Sequence, residues 1–77
     1  MLKALFDLLE AQPFQPFEIE LLTGRRVRVT HPENVSFLPN RSKVFLIGVG
    51  IPEKDDYHLF YPESLNSFRQ RRRKSGP

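Results

Sequence analysis

A mainly β domain with one N-terminal α-helix is what this sequence predicts, on three observations. A helical apolar period is confined to residues 2–12, the period changes to two after Pro16, and turn residues cut the remainder into short apolar runs. Seventy-seven residues allow one domain, and a chain of that size buries only about 60% of the surface its unfolded form exposes. With no Cys, neither a disulfide nor a thiolate metal site adds stability, so packing and self-association have to supply it.

Leu2, Leu5, Phe6 and Leu9 recur at i, i+3, i+4 and i+7, Leu8 widens the stripe, and Lys3, Asp7 and Glu10 lie on the other side. The spacing predicts an amphipathic helix, ended by Pro13, which lacks an amide and disfavours helical geometry at Gln12. A helix of about three turns is marginal alone, so its stripe has to dock. After Pro16, Phe17, Ile19 and Leu21 alternate with Glu18, Glu20 and Leu22, which is a strand with one apolar face. "TG" at 23–24 turns the chain, with Gly24 free to take positive φ, and "RRVRVT" resumes the alternation with Val27 and Val29 inward, Arg26 and Arg28 outward. Glu18 and Glu20 are thereby set across from Arg26 and Arg28, opposed charges that favour a register by about 0.2–1 kcal/mol per pair.

Pro32 and Asn34 in "HPEN" predict a bend before "VSFLP", and "PNRS" predicts a second turn. "KVFLIGV" reads as a central strand, "GIPEKDD" as a loop, "YHLFY" as a further strand and "PESLNSF" as a closing segment. One helix and four or five short antiparallel strands in meander order predict a small SH3-like or Sm-like barrel over residues 1–68. The alternative is an open antiparallel sheet with the helix packed on it. The expected core is Leu5, Phe6, Leu9, Phe17, Ile19, Leu21, Val27, Val29, Val44, Leu46 and Phe60.

The net charge of +3 is unevenly spread. Residues 1–68 hold seven Lys or Arg against nine acids, whereas residues 69–77 hold Arg69, Arg71, Arg72, Arg73 and Lys74 and no acid. A mildly acidic body thus carries a basic C-terminal tail. No apolar run approaches the roughly 20 residues that span a bilayer, and Asp7 and Glu10 interrupt the first one. The expectation is a soluble chain without a signal peptide, placed in the cytoplasm.

Catalytic chemistry finds little material. His31 and His58 are the only histidines, and neither has enough acids at a recognised spacing to hold a metal. The serines sit in no nucleophile elbow, and "GVG" at 48–50 lacks the third glycine and following helix of a dinucleotide site. The reading is therefore no enzyme, no cofactor and no small-molecule substrate. Seven Phe and two Tyr are numerous enough to build a base-stacking surface, but the alternation sends most inward as core, leaving Tyr57 and Tyr61 as the less certain pair.

What remains is binding. A run of arginines takes phosphates through bidentate, permanently charged guanidiniums, so a polyanion, nucleic acid first, is expected on Arg69, Arg71, Arg72, Arg73 and Lys74, with Arg26 and Arg28 on the sheet. The alternative is a protein-interaction or oligomerising structural module with an idle tail. A homo-oligomer is expected because small sheets expose edges and "KVFLIGV" is too apolar to leave unpaired.

"AQPFQPFEIELLTGRRVRVTHPENV" resembles a family of small uncharacterised bacterial proteins that begin with a short helix, run through a PF-x-PF-x-I-x-L step, turn at G-R and reach V-x-HP-E. The likeness covers residues 2–38 closely and "YHLFYPESLNSF" more loosely; the basic tail departs from it. It implies the fold and no activity. The helix followed by "IELLTG" and "YHLFYPESL" is similar to the Sm-like RNA chaperone fold, which implies ring assembly and RNA binding. "RRVRVT" lacks that fold's strand glycine, and Tyr57 and His58 echo its Tyr-Lys-His motif faintly.

Overall fold

The computed structural model describes residues 1–70, and the elements follow the periods of the sequence. Helix α1 spans Leu2–Glu10 and is followed by strands β1 (Phe17–Leu21), β2 (Arg26–Val29), β3 (Val35–Pro39), β4 (Val44–Ile51), β5 (Asp56–Phe60) and β6 (Leu65–Gln70). The strands form two three-stranded antiparallel sheets, ordered β2-β1-β6 and β3-β4-β5.

The expected closed barrel is therefore corrected to two open sheets. Closure would need two further ladders, β2 with β3 and β5 with β6, and each of those connections is taken up by a 3-10 turn, Pro32–Asn34 and Pro62–Ser64, whose proline has no amide to give a ladder. The inner faces of the two sheets meet instead, and the stripe of α1 packs with them into one core. Six strands appear rather than four or five, because "LNSFRQ" pairs with β1 along its length.

Three connections share one device. Pro32, Pro52 and Pro62 each open a single 3-10 turn with a glutamate in second place, at "PEN", "PEK" and "PES". Proline presets the first φ, and an acid in the first turn suits the partial positive charge of its free amides. The β1–β2 connection is tighter: Gly24 N–H donates to Leu21 O at 2.8 Å, Leu21 N–H to Arg25 O at 2.8 Å, and Gly24 takes φ of 90°. That is a three-residue hairpin loop ending in a left-handed residue. Gly24→Ala is expected to cost about 1–2 kcal/mol in chemical denaturation, the penalty of a Cβ at positive φ.

Helix α1 is held by more than its stripe. Leu5 and Leu9 are buried, and the Phe6 ring meets Phe37 of β3 edge-on at 4.9 Å between centroids. The Arg41 guanidinium lies 5.2 Å from the Phe6 centroid and 5.4 Å from that of Phe37, and donates to Glu10 Oε2 at 2.8 Å. One cation therefore ties the helix to the β3–β4 turn. The pair is half exposed, so Arg41→Ala should lower stability by about 1 kcal/mol and loosen protection of the helix amides in hydrogen exchange.

Eight of the eleven expected core residues are buried: Leu5, Leu9, Phe17, Ile19, Leu21, Val27, Val29 and Phe60. Phe6 and Val44 pack partly buried against them. Leu46 is the correction. Val44 and Leu46 look equivalent at period two, but a bulge pairs Pro39 with Val44 and Leu38 with Leu46, so the strand changes face at Phe45. Val44 therefore faces the core together with Ile47 and Val49, while Leu46 faces outward. Val35, Phe37, Ile47, Val49 and Leu65 complete the core.

Candidate nucleic-acid interface

The arginines expected on the sheet are placed by the ladder itself. Since Phe17, Ile19 and Leu21 face the core, Glu18 and Glu20 face out. Glu18 pairs with Arg28 on one side and Arg69 on the other; Glu20 pairs with Arg26 and with Ser67, whose hydroxyl donates to Glu20 Oε1 at 2.9 Å. The outer face of the β2-β1-β6 sheet thus carries a row Arg28–Glu18–Arg69 and beside it a row Arg26–Glu20–Ser67. The opposition of glutamates and arginines read from the hairpin is the observed register. Three guanidiniums face two carboxylates, leaving a small positive excess.

Arg69, expected as the first residue of the tail, is a ladder member of β6. Arg26, Arg28 and Arg69 are all exposed, and the ion pairs of Lys or Arg among the described residues are Lys3–Asp7 and Arg41–Glu10. No carboxylate within 4 Å claims these three guanidiniums in the described part of the chain. Arg71, Arg72, Arg73 and Lys74 lie outside the described residues; the sequence enters them directly after Gln70, which pairs with Phe17 next to the Arg28–Glu18–Arg69 row.

A cleft of about 490 Å³ opens where this face meets the β4–β5 connection, with Arg26 and Arg28 on one wall and Glu53, Asp56 and His58 on the other. Both signs line it, so it offers no single-sign field for a small anion. His58 lies on the core side of β5, paired with Val49, with its side chain 13% exposed. An Arg25 Nη donates to its Nδ1 at 2.9 Å, and its Nε2 lies 3.4 Å from Asp56 Oδ2. That arrangement calls for the tautomer with hydrogen on Nε2, and it links the first hairpin to the second sheet. His31 bonds Thr30 Oγ1 at 3.1 Å, and Asn34 Nδ2 donates to the same oxygen at 3.3 Å, which ties down the bend. No group of three or more His, Asp or Glu positioned to hold a metal occurs among the described residues.

Tyr57 and Tyr61 do not join the arginines. They face outward from the other sheet, 53% and 62% exposed, in company with Leu38, Leu46 and Leu59. Sequence reasoning missed this apolar outer face because it placed Leu46 in the core; the alternation of Tyr57, Leu59 and Tyr61 was its available signal. Six of the seven phenylalanines are buried or packed against the core, and Phe45 alone is exposed. No helix among the described residues is long and apolar enough to cross a membrane. The chain matches no family model, no curated protein and no solved structure.

Proposed function

We infer that the chain is a small non-catalytic binding module that holds a polyanion, single-stranded nucleic acid first, on the outer face of the β2-β1-β6 sheet together with the basic segment that follows it. The observation that carries this is the arginine set itself: Arg26, Arg28 and Arg69 share one exposed face, and four further cations follow Gln70 in sequence. An extended polyanion fits that layout better than a compact anion, since the charges are spread along a strand and a tail rather than gathered in a pocket. The likeness of residues 2–38 to small bacterial proteins is part of the same reading and adds the fold alone.

Glu18 supplies the test specific to the face, because it lies between Arg28 and Arg69. Glu18→Gln removes the interleaved negative charge and should raise affinity for a labelled single-stranded oligonucleotide about three- to tenfold at 50 mM salt, about the worth of one phosphate contact. Arg28→Ala should lower it by a similar factor. Unchanged anisotropy titrations for both variants would remove the sheet face from the site.

A further inference from the structure

We propose that the outer face of the β3-β4-β5 sheet is a self-association surface, which two copies of the chain bury against each other about a two-fold axis lying between the faces and across β4. The ladder sets the face: Leu38 pairs with Leu46, and Gly48 with Leu59, while Gly50 pairs with Tyr57. The Tyr57 ring lies flat over the two glycines; a Cβ at Gly48 would overlap its hydroxyl, and one at Gly50 would stand 3.6 Å from the ring. Glycines at 48 and 50 thus keep the surface level, as sheet-on-sheet contact requires.

Area and charge both point to a second copy. Leu38, Tyr57, Leu59 and Tyr61 are 41–62% exposed. With fully exposed side chains of this size presenting on the order of 150–250 Å², these four and half-buried Leu46 offer roughly 400–500 Å² before any rim is counted. A standard interface takes about 800 Å² per partner, so the patch is large enough for the centre of one. No charged residue occupies the outward positions of these rows, which leaves the phosphates of a nucleic acid no cation there. The charges sit at the two ends of β4 and differ in sign: Lys43 precedes it, and the turn that follows it carries Glu53, Lys54 and Asp55, all exposed, with an acid in excess. A two-fold axis across the strands reverses β4 and sets the basic end of one copy over the acidic end of the other, so the pattern is complementary to itself. β4 is central and paired on both sides, so it is the side-chain face rather than a strand edge that is left to cover.

Sedimentation velocity on the full chain tests this. The expected result is a monomer–dimer equilibrium in the micromolar range. Leu59→Lys, on an exposed outward side chain, should raise the dissociation constant about thirtyfold or more while circular dichroism and the melting temperature stay unchanged. Leu38→Lys serves if Leu59→Lys fails to fold. Lys43→Glu should weaken the dimer about tenfold, and mixing that chain with an Asp55→Lys chain should restore it. A monomer at all concentrations up to several hundred micromolar, a ring or higher oligomer, or a dimer indifferent to these changes would overturn the proposal. None of these outcomes depends on nucleic-acid binding, which the opposite face carries.

Discussion

Ile19→Ala is expected to destabilise the domain by about 2–5 kcal/mol, the largest loss from any single substitution considered for this chain. Ile19 is fully buried at the middle of β1, the central strand of the first sheet, and its ladder partners are Val27 on one side and Phe68 on the other. Truncation removes three carbons from a site walled by two strands and the second sheet, so the surroundings have little freedom to collapse into the space. For a single domain of this size, whose whole stability is only several kcal/mol, that loss brings the chain close to unfolding at ambient temperature. Urea denaturation monitored by circular dichroism measures it. A change under about 0.5 kcal/mol would contradict the placement of Ile19 in the core.

The first half of this fold was legible because one local rule governs each piece. The helical stripe, the alternation of Phe17 with Ile19 and Leu21, and the positive φ of Gly24 are all consequences of residues within a few positions of one another, although the helix ends at Glu10 and not at the residue before Pro13. The second half depends on facts the local pattern does not hold. Phe45 bulges out of β4, and one extra residue is enough to send Leu46 to the opposite face from Val44. The count of strands likewise depends on whether "LNSFRQ" finds a partner, and that partner, β1, lies over forty residues earlier in sequence. Barrel against two sheets turned on two missing ladders, β2 to β3 and β5 to β6, and a Pro-Glu turn stands at each junction, at 32–33 and 62–63. A recurring Pro-Glu step at 32, 52 and 62 was visible in the sequence and would have located all three 3-10 turns. For the candidate site, Arg26 and Arg28 were assigned their face from alternation alone, whereas the position of Arg69 across from Glu18 required the tertiary pairing of β6.

Removing residues 71–77 is expected to have the largest effect on binding. A chain ended after Gln70 keeps β6 and its ladder to β1 intact, so it should fold as the full chain does. It keeps eight Lys or Arg against nine acids, and thus loses the positive balance that draws a polyanion. Arg26, Arg28 and Arg69 remain on their face, but two glutamates are interleaved with them, so binding at 50 mM salt should fall by well over tenfold.

The most direct measurement is fluorescence anisotropy of labelled single-stranded RNA and DNA, titrated with the full chain and the chain ended after Gln70 between 50 and 200 mM salt. If Arg69, Arg71, Arg72, Arg73 and Lys74 each neutralise a phosphate, log affinity of the full chain falls against log salt with a slope of about −3.5, or roughly a hundredfold over that range, steepening to about −5 when Arg26 and Arg28 do so as well. The shortened chain should bind far more weakly throughout and with a shallower slope. Absence of binding by the full chain at 50 mM salt, or equal binding by the two chains, would contradict a polyanion site built from the basic face and the segment that follows it.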